Sequence, residues 1–435
     1  MKCSGAGGGG SLWLRASARA AGNRRRGRYR WGVASERGSR LLVLAPFPPR
    51  LDGLHGGSRA MAQLLSQLAL RHPMALVVLR ASHEPEVDPL LKERCEIVEE
   101  VLVPPPGRSL PARVRRRLAV RGALLRGIPT WATEGMSPAF GPRVEDVVRR
   151  FEPDLVKLEY SIMGRAVPAL AGSGAPRVLT EYDAGAMVTS NLPLLARLLE
   201  ARVWKRFEQR VIRRVDALIV LTERDRAQIA PLAGATTVVT IPIGMVVPAQ
   251  PLDPRGSGHS IVYIGSYIHA PNVDAAVRLA RRIFPVIRER VPDAELTLVG
   301  SHATQTIRRL RGGGVVVAGQ VPDVTPYLDA AAVVTTPIQM GGGMRVKVLE
   351  ALAAGKALVA TRLATEGLDV TSGEELLLAE TDEELAEAIV SLLLDEERRV
   401  ALAQSARRWA ETHLDWDAVV RAHEELYASV IAAKR

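Results

Sequence analysis

Cysteine is nearly absent: Cys3 and Cys95 are the only two in 435 residues. They stand too far apart to frame a disulfide scaffold or a cysteine metal cluster, and a reducing cytoplasm is the compartment this usage fits. No apolar run approaches the roughly 18–20 residues that a spanning helix needs, and glycine and arginine interrupt any signal-peptide core near the start. The eight histidines show neither HExxH nor paired spacing, so no protein-bound catalytic metal is expected. G-x-S-x-G and the lysine-terminated phosphate loop are missing. No G-x-G-x-x-G follows the first strand of either strand series, which argues against a nicotinamide dehydrogenase.

The formal charge of +11 is unevenly placed. Residues 1–40 hold ten Lys and Arg against Glu36, leaving 48 basic and 46 acidic residues, a net of +2, in the remainder. A nucleic-acid partner is therefore not expected. Residues 1–39, with GAGGGGS and NRRRGRYR, read as a disordered basic leader.

From Arg40 onward, short Val/Ile/Leu runs alternate with helical segments, the signature of a parallel sheet covered on both faces. The first series comprises residues 40–46, 74–80, 153–160, 176–183 and 216–222. The second comprises 260–266, 294–300, 314–319, 331–337 and 356–361. A Pro- and Gly-bearing linker, 246–259, separates them. The expected architecture is α/β: a Rossmann-like domain over 40–245 and a second over 260–415. A terminal helix, 416–435, is expected to pack back on the first. Two doubly wound domains joined this way are expected to form a cleft at the carboxyl ends of their strands.

The richest segment is GGGMRVKVLEALAAGKALVAT, 341–361. Three glycines follow a strand and lead into a helix whose first amides lack internal partners, which builds an anion site. At 100° per residue Val346, Leu349 and Ala353 form an apolar stripe with Lys347 and Glu350 together at its edge. Lys347 suits a phosphate and Glu350 a ribose hydroxyl. The pair also fits an exposed ion pair worth ~0.2–0.5 kcal/mol.

Residues 341–361 resemble the donor-binding segment of the group 1, retaining glycosyltransferases (family 4). The resemblance extends through DALIVLTERDRAQI (216–229), IPIGMVV (241–247), IVYIGSYIHAPNVDAAVRL (261–279), AELTLVGS (294–301) and GQVPDVTPYLDAAAVVTTP (319–337). It implies a GT-B fold, two facing Rossmann-like domains with a helical C-terminus, the nucleotide held by the second and the acceptor by the first. It further implies a UDP- or GDP-sugar as donor substrate with no bound cofactor. A hydroxyl of a glycan, lipid-linked or small-molecule acceptor would receive the sugar.

By that comparison Gly265, Val321, Gly342, Gly343, Met344, Arg345, Lys347 and Glu350 line the donor. Gly56 and Gly57 match the family's glycine loop, though a plain strand-to-helix turn also fits them. Arg345 and Lys347 would stabilise the departing diphosphate. Asp183 would orient the acceptor hydroxyl, with Glu159, Glu181 and Tyr182 beside the acceptor. Each carboxylate also fits a solvated or capping role.

Three positions depart from the family pattern. Gly342 stands where the first of two glutamates is usual, Tyr182 replaces the histidine before the aspartate, and IGSYIHAPN lacks the customary Arg and Lys. These changes keep open a sugar-nucleotide epimerase or a non-catalytic nucleotide-sugar-binding protein. RSLPARVRRRLAVRGALLR, 108–126, carries seven arginines with apolar residues at roughly helical spacing, fitting a peripheral contact with an anionic membrane at its inner face, a solvated face or a site for an anionic acceptor.

Overall fold

The computed structural model describes residues 38–53, 56–105, 109–182, 194–341 and 346–435. The leader, Asp183 and Gly342, Gly343, Met344 and Arg345 lie outside the described residues. The chain divides into two compact units. One holds the described residues up to Gly244 with Trp416–Arg435, the other Met245–Met340 with the described residues from Val346 to Asp415.

The first unit contains β1 (Leu41–Ala45), β2 (Met74–Ala81), β3 (Ile97–Val103), β4 (Leu155–Glu159), β5 (Arg177–Glu181), β6 (Ala217–Val220) and β7 (Thr237–Thr240). They form one sheet in the order β3-β2-β1-β4-β5-β6-β7, every pair parallel. Its helices include α1 (Gly56–Leu68), α2 (Leu110–Leu125), α3 (Thr130–Glu134) and α4 (Leu194–Ile212).

The second unit contains β8 (Ser260–Ile264), β9 (Glu295–Val299), β10 (Val315–Gly319), β11 (Val333–Thr336), β12 (Leu358–Ala360) and β13 (Leu377–Leu378). They run parallel in the order β10-β9-β8-β11-β12-β13. Among its helices are α5 (Ala270–Arg278), α6 (Val346–Ala354), α7 (Asp382–Leu394) and α8 (Glu396–His413). The last helix, α9 (Trp416–Lys434), belongs to the first unit.

Continuous apolar runs make the central strands because both of their faces are covered. All five residues of β1 are buried. Three strands go beyond the two series read from sequence: β3, β7 and β13. Each is a sheet edge, where a half-solvated strand needs no continuous apolar run. β3, IVEEVLV, even carries Glu99 and Glu100, which pair with Arg150 at 2.9 Å and Arg80 at 2.6 Å.

Strand order reverses between β1 and β4 in the first sheet and between β8 and β11 in the second. Loops leaving the carboxyl ends there diverge to opposite faces and open a crevice, which is where open α/β sheets take their ligands. α9 is tied to the first unit by Arg71–Asp417 at 2.7 Å, His72–Glu424 at 3.2 Å and Lys434–Asp216 at 3.0 Å. Gly244 lies so close to it that a Cβ there would come within 2.8 Å of the Trp416 ring.

Candidate functional site

At the switch point of the second sheet, β8 ends into Gly265 and β11 leads toward α6. Neighbouring strands also finish in glycine: Gly300 follows β9 and Gly319 closes β10. The Gly265 N–H donates to Val299 O at 2.9 Å, and the Gly300 N–H to Gly319 O at 2.8 Å. A Cβ on Gly300, whose φ is +156°, would stand 1.8 Å from Gly265 O. Only a residue without a side chain permits that approach. Three adjacent strand ends thus make a floor of bare backbone.

Lys347, in the first turn of α6, reaches over this floor. Its Nζ donates to Asn272 Oδ1 at 2.7 Å and to Tyr263 OH at 3.4 Å, and lies 4.9 Å from the Tyr263 ring centroid. The Asn272 amide is fixed at its other end by donation to Ser266 O at 2.8 Å. Asn272 stands in the first turn of α5, just after β8, so the contact links elements on either side of the switch point. A Cβ on Gly265 would come within 3.1 Å of Lys347 Nζ. Glu350, one turn along α6, is 7 % exposed, so it is not a solvated member of a surface ion pair. Val321 is half-buried just beyond β10.

In the first unit, Gly56 and Gly57 open α1. Tyr160 follows β4 with φ +66°, a left-handed conformation that is costly for a bulky residue. Its ring stacks on Tyr182 at 4.7 Å between centroids and meets Phe47 edge-on at 5.3 Å. Phe47 follows β1, so this aromatic contact spans the first sheet's switch point. Glu181 accepts the Ser161 N–H at 2.9 Å, capping the 3₁₀ helix Ser161–Leu170.

Glu159 is fully buried and pairs with the equally buried Lys157 at 2.8 Å. Lys157 also donates to Thr180 Oγ1. The two alternate positions of β4 and the matching face of β5 therefore carry Lys157, Glu159, Thr180 and Tyr182 inward beneath α9. Tyr182 lines a cavity of about 20 Å³, with Thr180, Ile219, Ile243, Trp416 and His423. Burial, and then the Glu159 charge, raise the Tyr182 phenol far above its ordinary range. Burial, reinforced by Lys157, drives the His423 imidazole down to about 3.

Residues 55–244 match the family described as glycosyl transferase 4-like domain, and residues 258–395 the family described as glycosyl transferases group 1. The chain is a group 1 glycosyltransferase. Its fold is GT-B, with one Rossmann-like sheet in each matched stretch. Sucrose-phosphate synthase from Thermosynechococcus elongatus superposes with a TM-score of 0.64 at 17% identity, over 91% of this chain and 100% of that one. The Anabaena Alr3699/HepE structure in complex with UDP and glucose gives 0.60 at 14%, over 90% and 100%. A glycosyltransferase from Rickettsia africae gives 0.59 at 12%, over 91% and 99%. At such identities the likeness establishes the fold. No curated protein sequence matches the chain.

The structure of this glycosyltransferase brings Gly265 and Lys347 together and adds two residues that the sequence reading passed over. Gly300 had a visible signal: it ends a strand, as Gly265 and Gly319 do. Asn272 had none, because in HAPN it reads as an ordinary helix start. Glu159 faces Lys157 in the core rather than solvent, and Glu181 serves as a cap.

Proposed function

We propose that this glycosyltransferase transfers a sugar, with retention of anomeric configuration, from a UDP-sugar to a hydroxyl of a glycan, lipid-linked or small-molecule acceptor in the cytoplasm, as a family 4 enzyme. One observation carries the reading: a lysine held by Asn272 and Tyr263 at the strand-order reversal of the second sheet, above a floor of glycine backbone. A diphosphate fits there because it needs cations and free amides close by and tolerates no side chain beneath it. UDP is favoured over GDP because structures of the same fold are described with UDP and with UDP-glucose.

In the proposed transfer the acceptor oxygen bonds to the anomeric carbon as the bond from that carbon to the β-phosphate oxygen breaks. Charge grows on the departing diphosphate. Lys347, Arg345 and the opening amides of α6 are assigned to receive it, which is the electrostatic stabilisation that lowers such a barrier. Glu350 is assigned to the ribose. Asp183 is assigned to orient the acceptor hydroxyl, whose proton is released in the transfer. Gly342, Gly343 and Met344 are assigned to the backbone around the diphosphate.

The test is a thermal-shift screen with UDP-glucose, UDP-N-acetylglucosamine, UDP-galactose and GDP-mannose. A ligand at a hundredfold its Kd stabilises by about 2.7 kcal/mol. At least one UDP-sugar should raise the Tm, and Lys347→Ala and Glu350→Ala should remove the response. Variants that respond as the wild type does would defeat the assignment.

A further inference from the structure

Outside the donor and acceptor regions, α2 carries basic and apolar side chains that the transfer reaction does not use. Twelve large apolar side chains are exposed among the described residues, and four of them belong to this one helix: Leu110 at 73%, Val114 at 47%, Leu118 at 61% and Leu125 at 91%. At 100° per residue they fall within an arc of about 80°, along roughly 22 Å of helix. The helix has no acidic residue. Arg121 falls inside the apolar arc, with Arg117 and Arg115 to either side of it, and these three arginines form no hydrogen bond or ion pair among the described residues. Arg116 differs: it grips Glu134 of α3 through Nε at 2.7 Å and Nη2 at 2.8 Å. That fork and the buried Ala123 hold the opposite side of α2 to the protein.

We propose that α2 is a docking surface for an anionic phospholipid bilayer, lying in the plane of the membrane with Leu110, Val114, Leu118 and Leu125 among the upper acyl carbons and Arg115, Arg117 and Arg121 on headgroup phosphates. The geometry selects a bilayer because apolar and cationic groups share one face. An interfacial helix presents that combination, since arginine can reach up to phosphate while the neighbouring leucine goes down. The absence of any carboxylate on the helix suits an anionic surface. Membrane attachment is independent of the donor assignment, so either can fail alone.

The experiment is flotation of the full chain with vesicles of phosphatidylcholine alone or mixed with phosphatidylglycerol. Two variants are compared with wild type: Leu110→Glu/Leu118→Glu, and Arg115→Gln/Arg117→Gln/Arg121→Gln. All these side chains are exposed, and circular dichroism and Tm should match wild type. Wild type should float with the phosphatidylglycerol vesicles, lose that binding as salt rises, and stay behind with phosphatidylcholine. Each arginine at an anionic surface contributes about fivefold in partitioning, so the triple variant should lose roughly a hundredfold. The leucine variant should also detach. Binding that survives in both variants would come from the basic leader and would overturn the proposal. So would a wild type that ignores both vesicles, including the case where sedimentation shows a dimer that Leu110→Glu/Leu118→Glu dissociates.

Discussion

Lys347 Nζ stands 2.7 Å from Asn272 Oδ1, two side chains 75 residues apart in sequence that meet at the strand-order reversal of the second sheet. The amide aims the ammonium without neutralising it, because Asn272 contributes an oxygen dipole and no charge. Asn272→Ala should therefore lower UDP-sugar affinity ten- to a hundredfold, about what a hydrogen bond to a charged group supplies, with little change in Tm. Asn272→Asp should be worse than its small size change suggests, because a carboxylate would compete with the diphosphate for the lysine. Isothermal titration of the two variants decides the matter; equal affinities for wild type and Asn272→Asp would contradict this role.

Gly265 and Gly300 lie back to back, yet their alanine variants should fail differently. A Cβ on Gly300 meets the backbone oxygen of Gly265 at 1.8 Å, and backbone cannot step aside. Gly300→Ala should cost about 3 kcal/mol or more. A Cβ on Gly265 meets the mobile end of Lys347 at 3.1 Å and Asn272 Cγ at 3.1 Å, side-chain atoms with room to shift. Gly265→Ala should keep most of its stability and lose donor-induced stabilisation. Urea unfolding with and without UDP would separate the two outcomes, and equal stability losses would refute the distinction.

Lys157 and Glu159 are the only pair of ionised side chains in which both members are fully buried among the described ion pairs. Removing one leaves the other charged in the core. Lys157→Met should destabilise by roughly 3–5 kcal/mol, while Lys157→Met/Glu159→Leu should recover most of that loss. A double variant no more stable than the single one, in chemical denaturation, would show that the charges are not coupled as the structure has them.

What could be read from sequence follows physical lines. Central strands such as LLVLA and ALIV declare themselves because both faces are buried, so every residue is apolar. Edge strands do not, and β3 spends two of seven positions on glutamate. The helix within 341–361 was legible because its apolar stripe is a local pattern, and it stands as α6. Asn272 was not, since its meaning depends on Lys347. Glu159 closes β4 and Tyr182 directly follows β5, near the ends of the strand spans 153–160 and 176–183 read from sequence. What the local pattern does not reveal is that the terminal helix, α9, supplies His423 and Trp416 to the cavity that Tyr182 lines.

His423 provides the pH test of that buried arrangement. Its Nδ1 carries the proton toward Val419 O at 2.9 Å, and its 2 % exposure and the nearby Lys157 keep the ring neutral. Its native value, about 3, lies below the ordinary 6.5. Below about pH 6.5 the unfolded chain takes up a proton that the folded chain refuses, so stability falls as pH drops from there toward 3. Above about 6.5 the contribution is constant and complete. In that acid window the slope from this one group is about 1.4 kcal/mol per pH unit. His423→Leu removes the group from both states, so its stability between about pH 6 and 4 should decline less steeply than wild type by close to that slope. Urea titrations of both proteins at several pH values would show it. Parallel curves would mean that His423 titrates alike in the folded and unfolded chains, and that the core beneath α9 is open to water.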